Sequence, residues 1–198
     1  MRLSIYAATE GYPDEAVVRS LCREMGVSVD RMFNCGGKSK LDERIRGYNQ
    51  ASRGWYWLVL RDLDSDADCA PELRRRILPD PAPFMAFRIA VRSVEAWLMA
   101  DAEALAAFLR IARGQVSADP ENVPDPKAEM VRLGSNSRSR IIREDMVPRS
   151  RSGATQGPGY AALLAEFAER HWRPRVAATV SDSLDRCLRR LAVWALNG

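Results

Sequence analysis

A chain of 198 residues, 46% of them hydrophobic, can bury the core of one compact domain and is not globally disordered. No apolar run approaches the ~20 residues that a membrane-spanning helix requires, and Cys22, Cys35, Cys69 and Cys187 form no CxxC pair, which fits reduced cytoplasmic thiols better than a structural zinc site. The net charge is +4, with 27 Arg and 3 Lys, and the one histidine, His171, is too little for His-based hydrolase or His-zinc chemistry.

Leu3 to Ala8 reads as a strand, and it lacks the basic start and long apolar stretch of a secretory signal. Thr9-Glu10-Gly11 follows. Pro13 then opens a helix, with Asp14 and Glu15 in its first turn, Val17, Val18, Leu21, Cys22 and Met25 at helical spacing, and Gly26 as the stop. Val27 to Phe33 is a second strand, and Lys38 to Ser52 a polar helix. Trp55 to Leu60 is apolar on both faces, as a parallel sheet covered on each side by helices requires. It runs into Arg61-Asp62-Leu63-Asp64-Ser65-Asp66. A short helix over Pro71–Leu78 and a strand over Phe84–Val91 come next. Asp101 caps a helix carrying Leu105, Phe108 and Leu109. This alternation predicts an α/β fold with a largely parallel four-stranded sheet flanked by helices.

Residues 113–158 change character, being rich in Pro, Gly and Arg, and read as a long connection with one short helix, capped by Asp125 with Pro126 at its first position. Within them, residues 131–152 hold six Arg against Glu144 and Asp145, and so carry the whole net charge of the chain. That is the electrostatic handle a phosphate backbone would use; the alternative is a solvated Arg-rich loop. From Tyr160 the chain is helical, ending in a helix capped by Ser181 or Ser183. The expected organisation is an α/β core over 1–112, the connection over 113–158, and C-terminal helices over 159–198 that pack on the core. Trp97, Trp172 and Trp194 lie in apolar helical stripes and read as core.

The chemistry is expected at strand ends. Glu10 follows the first strand, Asp62 and Asp64 follow the Trp55–Leu60 strand, and Glu95 lies just past the Phe84–Val91 strand. In parallel sheets, sites gather at the carboxyl ends of strands. Asp62 and Asp64, two apart on an extended segment, would share a face. Clustered carboxylates repel, and a hard cation with oxygen ligands offsets that. Singly, Glu10 also suits a helix start, Glu95 a solvated helix, and the Asp62–Asp68 run an acidic turn. A calcium loop is excluded, because its sixth position is Ala67 and its twelfth Leu73.

Thr9-Glu10-Gly11 and Asp62-Leu63-Asp64 resemble the two signatures of the TOPRIM domain, found in topoisomerases, primases, overcoming-lysogenization-defect nucleases and small RNA maturases. The string from Val91 to Asp101, with Asp125-Pro126-Lys127, Gly157-Pro158-Gly159-Tyr160 and Ser181-Asp182-Ser183-Leu184, resembles an uncharacterised bacterial family of TOPRIM-like proteins, often encoded beside ATPases in defence regions. The resemblance spans nearly the whole chain. It implies a TOPRIM-like fold in which Glu10, Asp62, Asp64 and Glu95 are catalytic. Glu10, Asp62, Asp64 and Asp66 would bind Mg2+ or Mn2+. Arg92 and Lys127 would contact phosphate, the plain alternatives being a salt bridge for Arg92 and a surface helix start for Lys127; from the charge distribution, Arg138, Arg140 and Arg143 of the basic stretch are the further candidates for nucleic-acid contact. The expected function is metal-dependent cleavage of DNA or RNA in anti-phage defence, with an ATPase as partner. The alternative is a non-catalytic binding subunit for such an ATPase. There is no Walker A motif, so ATP hydrolysis would belong to the partner.

Overall fold

The computed structural model describes residues 3–197. Four strands, β1 (Ser4–Thr9), β2 (Ser28–Asn34), β3 (Trp57–Asp62) and β4 (Met85–Ala90), form one parallel sheet in the order β2-β1-β3-β4. The expected α/β class and parallel sheet are therefore present. The chain leaves β1 to one side for β2, then crosses to the other side for β3 and β4. The carboxyl ends of β1 and β3 are thus the point where the winding reverses, the place where parallel α/β sheets set their ligand sites.

The helices are α1 (Tyr12–Glu24), α2 (Lys38–Ala51), α3 (Ala70–Ile77), α4 (Val94–Met99), α5 (Ala102–Leu109), α6 (Pro126–Ser135), α7 (Arg140–Met146), α8 (Tyr160–Arg170), α9 (Pro174–Ala178) and α10 (Asp182–Asn197). Every residue of β3 is buried. Its alternate side chains serve different layers. Leu58 and Leu60 join a core made with α1 and α4 to α10, while Trp57 and Val59 join a second core under α2 and α3. Trp97, Trp172 and Trp194 are buried in the first core, as their spacing predicts.

The 113–158 stretch is more structured than a connection with one helix. Besides α6 it contains α7 and two short 3-10 turns, Arg113–Gln115 and Pro120–Asn122. What hides α7 in the sequence is its makeup: only Ile142 and Met146 of its seven residues are buried. Its seat is made by glycines. A Cβ on Gly134 would sit 2.5 Å from the Met146 side chain, and one on Gly157 2.3 Å from the Asp145 carbonyl. The Gly157 and Gly159 amides donate to the carbonyls of Met146 and Asp145, at 3.0 Å each, and so deliver Tyr160 into the core. The predicted caps are in place: Asp101 accepts from the Ala104 amide, Asp125 from the Ala128 amide, and Ser181 from the Leu184 amide. No helix among the described residues is long and apolar enough to cross a membrane.

Candidate active site

The strand-end acids meet where the sheet winding reverses. Glu10, one residue past β1, accepts a 2.8 Å hydrogen bond on Oε1 from the Asp62 amide at the end of β3. Asp62 lies on the same face as Leu58 and Leu60. Its Oδ1 accepts from the Val94 amide at 3.0 Å, and its Oδ2 is 3.0 Å from Lys127 Nζ. Lys127 is the second residue of α6, placed by the Asp125 cap and Pro126, and it also reaches Asp64 Oδ1 at 3.3 Å.

Asp64 is reached differently from the sequence expectation. The strand ends at Asp62, and Asp64 stands at φ +48°, in the left-handed region, so the two acids do not share an extended face. The turn is held by long-range bonds: the Asp64 amide donates to the Arg92 carbonyl at 2.8 Å, and the Arg92 guanidinium donates to the Asp64 carbonyl at 3.1 Å. Arg92 is thus a clasp on the Asp64 turn. Lys38, at the start of α2, reaches Asp64 Oδ2 at 3.1 Å and Asp66 Oδ2 at 2.9 Å.

On the other face, Arg61 points away from Asp62. Its guanidinium pairs with Asp42 at 3.1 Å and Asp66 at 2.6 Å, and it also donates to the Asp62 carbonyl. Asp66 therefore belongs to an ion-pair network with Arg61 and Lys38. Against the cost of partial burial, hydrogen bonds from these two cations hold its carboxyl below the usual range.

Glu95 is buried. It accepts from Ser93 Oγ at 2.6 Å and from the Tyr160 hydroxyl at 3.1 Å. Sequence reasoning missed a further acid here. Asp14, in the first turn of α1, is 6% exposed, and its Oδ1 has no partner. Burial, then the charges of Glu10 and Glu95, push its carboxyl up to about 8. Asp62 is raised well above the carboxylate range by burial, Asp14 and Glu95, with Lys127 opposing. Glu10 is raised by burial, against the Asp62 amide and Arg61. Lys127 is itself raised: its burial opposes charge, but Asp62, Glu95 and Asp64 outweigh it. Glu10, Asp14, Asp62 and Glu95 thus feel one another, offset by Lys127 beside Asp62 and by Arg61, 3.8 Å from Glu10 Oε1.

Tyr160, Lys38 and Arg61 were also absent from the sequence expectation. Asp14 had a readable signal, since it lies on the stripe of Val17, Val18 and Leu21, where an apolar residue belongs. The Arg-rich stretch lies apart from these acids. Arg132 pairs with Glu129 at 2.6 Å and Arg140 with Glu144 at 2.7 Å, while Arg138 donates to the Arg110 carbonyl and Arg143 to that of Ser137. Arg140 and Arg143 are engaged within their own hairpin, while Arg132 and Arg138 also bond the Gln115 and Arg110 carbonyls outside it.

Among the described residues, no three carboxylate, thiol or imidazole groups enclose a common point tightly enough to hold a metal. Asp62 and Asp64 instead close on Lys127. The donor chemistry is compatible with a hard cation: several carboxylates, one buried oxygen without a partner, and acids raised by burial and then by one another's charge. An ion held by Asp62 and Asp64 would take the place of the Lys127 ammonium, whose side chain is 38% exposed on a flexible stem. Compared with protein-family models, with curated proteins and with solved structures, the chain matches none of them.

Proposed function

We propose that the cluster at the ends of β1 and β3 is a Mg2+ or Mn2+ site and that the protein is a TOPRIM-like cytoplasmic nuclease, cleaving DNA or RNA phosphodiesters. One observation carries this reading: Glu10 and Asp14 at the β1–α1 junction, Asp62 at the end of β3 and Glu95 of α4 share one buried cluster where the sheet reverses. Glu10, Asp62 and Asp64 would hold the ion, with Asp14 or Glu95 beside it. A divalent ion there supplies charge stabilisation at phosphorus and a more acidic bound water. Asp14, raised to about 8, holds or releases a proton near neutral pH, as an acid–base group must. Lys127 and Lys38, once displaced from the acids, become donors for the phosphate oxygens. Asp66 serves Arg61 and Lys38 in this reading and not the ion.

Incubation of the purified protein with labelled DNA and RNA in Mg2+ or Mn2+ tests it. Cleavage is expected, with a loss of at least about 100-fold in Glu10→Gln and Asp62→Asn and folding intact. Equal cleavage by both variants would sink the assignment.

A second reading is favoured by the ion pairs themselves. Lys127 and Lys38 already balance Asp62, Asp64 and Asp66, as suits a non-catalytic subunit that binds nucleic acid or recruits an ATPase. Absence of cleavage under every metal condition, with stable complex formation with an ATPase, would select it.

A further inference from the structure

A second charged centre lies along the open edge of the sheet. Arg88 projects from β4 on the same face as Ala86 and Ala90, toward α10. It is half-buried, and its Nε has no hydrogen-bond partner. Arg74 of α3 and Arg190 of α10 stand around it. Among the described residues, no carboxylate lies within ion-pair distance of Arg74, Arg88 or Arg190; Arg190 donates to the Pro83 carbonyl at 3.3 Å and stacks on Trp194. Arg186 and Arg189 of α10, by contrast, pair with Asp182 and Asp185. The buried thiol of Cys187 also faces Arg88.

Three hollows meet at Arg88. One of about 290 Å3 is lined by Arg74, Arg88, Arg190, Pro83 and Met85 among others, and no acid lines it. A second, of about 370 Å3, is formed by Arg88, Arg186, Arg189, Arg190 and Val193. A third, of about 440 Å3, extends from Arg88 between α3 and α10 to Arg92, and only there do Asp68, Glu121 and Asp182 appear.

Burial and the neighbouring charges of Arg190, Arg74 and Arg186 all work against the Arg88 charge. A guanidinium does not give up its proton in a protein, so the repulsion stands until something else offsets it. Hydrophobic residues would fill an edge groove at less cost. The unpaired guanidiniums instead present forked donors that match a tetrahedral oxyanion.

We propose that the hollow between Arg74, Arg88 and Arg190 is an anion site that takes a phosphate group, on a nucleic acid a backbone phosphate. The 440 Å3 cavity joins it to Arg92, which clasps the Asp64 turn. A strand seated on Arg88 therefore leads toward the acid cluster. That the phosphate belongs to a nucleic acid rests on the nuclease reading; that the hollow takes a phosphate does not.

The test is done in EDTA, so that metal chemistry plays no part. Calorimetric titration with pyrophosphate, and anisotropy with labelled single-stranded DNA and RNA of about 20 nucleotides, are run on the full chain. Arg74→Ala and Arg88→Gln are expected to weaken pyrophosphate at least ten-fold, while Arg170→Ala, at a distant surface position, does not. Oligonucleotide affinity should fall in parallel, and the log–log salt slope should drop by about one for each arginine removed. Pyrophosphate loss without oligonucleotide loss would keep the anion site and overturn its nucleic-acid source. Unchanged pyrophosphate binding in the variants would overturn the site. Arg74 is exposed, so Arg74→Ala decides the matter even if Arg88→Gln does not fold. Because these titrations contain no metal and read binding alone, failure of this site is told apart from failure of the catalytic reading, which the cleavage assay of Glu10→Gln and Asp62→Asn reports.

Discussion

At Asp14 two demands conflict. The residue stands on the apolar stripe of α1, where burial favours a neutral side chain, and it faces the charges of Glu10 and Glu95. In the folded chain its proton is held to about pH 8, whereas the unfolded chain releases it near the ordinary carboxylate value of 3.8. Between those limits the folded state binds more protons, so without metal the stability must fall as pH rises from about 4 to about 8. Asp14→Asn removes that liability. In EDTA, its urea-unfolding free energy should decline less steeply with pH than the wild type's, and exceed it near pH 9 by about 1 kcal/mol or more. The slope should not vanish, because Glu10 and Asp62 are raised in the same direction. Parallel curves for the two proteins would show that Asp14 ionises freely. The same substitution was legible in principle: a carboxylate in the register of Val17, Val18 and Leu21 is a residue out of place. Lys38 and Arg61 were not, since their roles depend on partners on other elements.

Among the elements, the strands were the most readable. The Trp55–Leu60 run announced a doubly covered strand, and β3 is buried at every position. Caps at Asp101, Asp125 and Ser181 were visible because a cap is a local device. The Asp64 turn was invisible, because its φ of +48° is held by Arg92, which lies 28 residues away. Helix α7 was hidden for a related reason: it is held by close approach to Gly134, Gly157 and Gly159, not by an apolar stripe. That contact carries a prediction. Gly157→Ala must drive its Cβ into the Asp145 carbonyl, so stability should fall by about 1–3 kcal/mol in denaturant unfolding. Because the same loop seats Tyr160 on Glu95, a shift of the Tyr160 environment should accompany the loss, readable in near-ultraviolet circular dichroism. A Gly157→Ala protein as stable as the wild type would mean that α7 and the loop are free to part. The Arg-rich stretch changes meaning at this scale as well. Arg132, Arg138, Arg140 and Arg143 are held by ion pairs and carbonyls in and around the α6–α7 hairpin, while Arg74, Arg88 and Arg190 gather at the β4 edge with no carboxylate in ion-pair distance among the described residues.

Over the whole molecule, the β2-β1-β3-β4 order is what turns scattered acids into neighbours. It puts the ends of β1 and β3 side by side, and the helices after β4 return to close over them: α4 supplies Glu95, α6 Lys127 and α8 Tyr160. Residues of the motifs quoted from the sequence, Glu10, Asp62, Asp64, Glu95, Lys127 and Tyr160, meet in this cluster, whereas Ser183 of the last motif bonds the Val91 amide and Trp97 instead. Their convergence was predictable in outline from strand-end placement, but the presence of Lys127 between Asp62 and Asp64 was not. That ammonium is where the two readings of the protein divide. A Mn2+-soaked crystal, with diffraction recorded at the manganese absorption edge, addresses it directly. The account predicts an anomalous peak bounded by Glu10, Asp62 and Asp64, with Lys127 moved off the aspartates and the peak absent in Asp62→Asn. Full soaking with no peak there, and Lys127 still closed on Asp62 and Asp64, would contradict it.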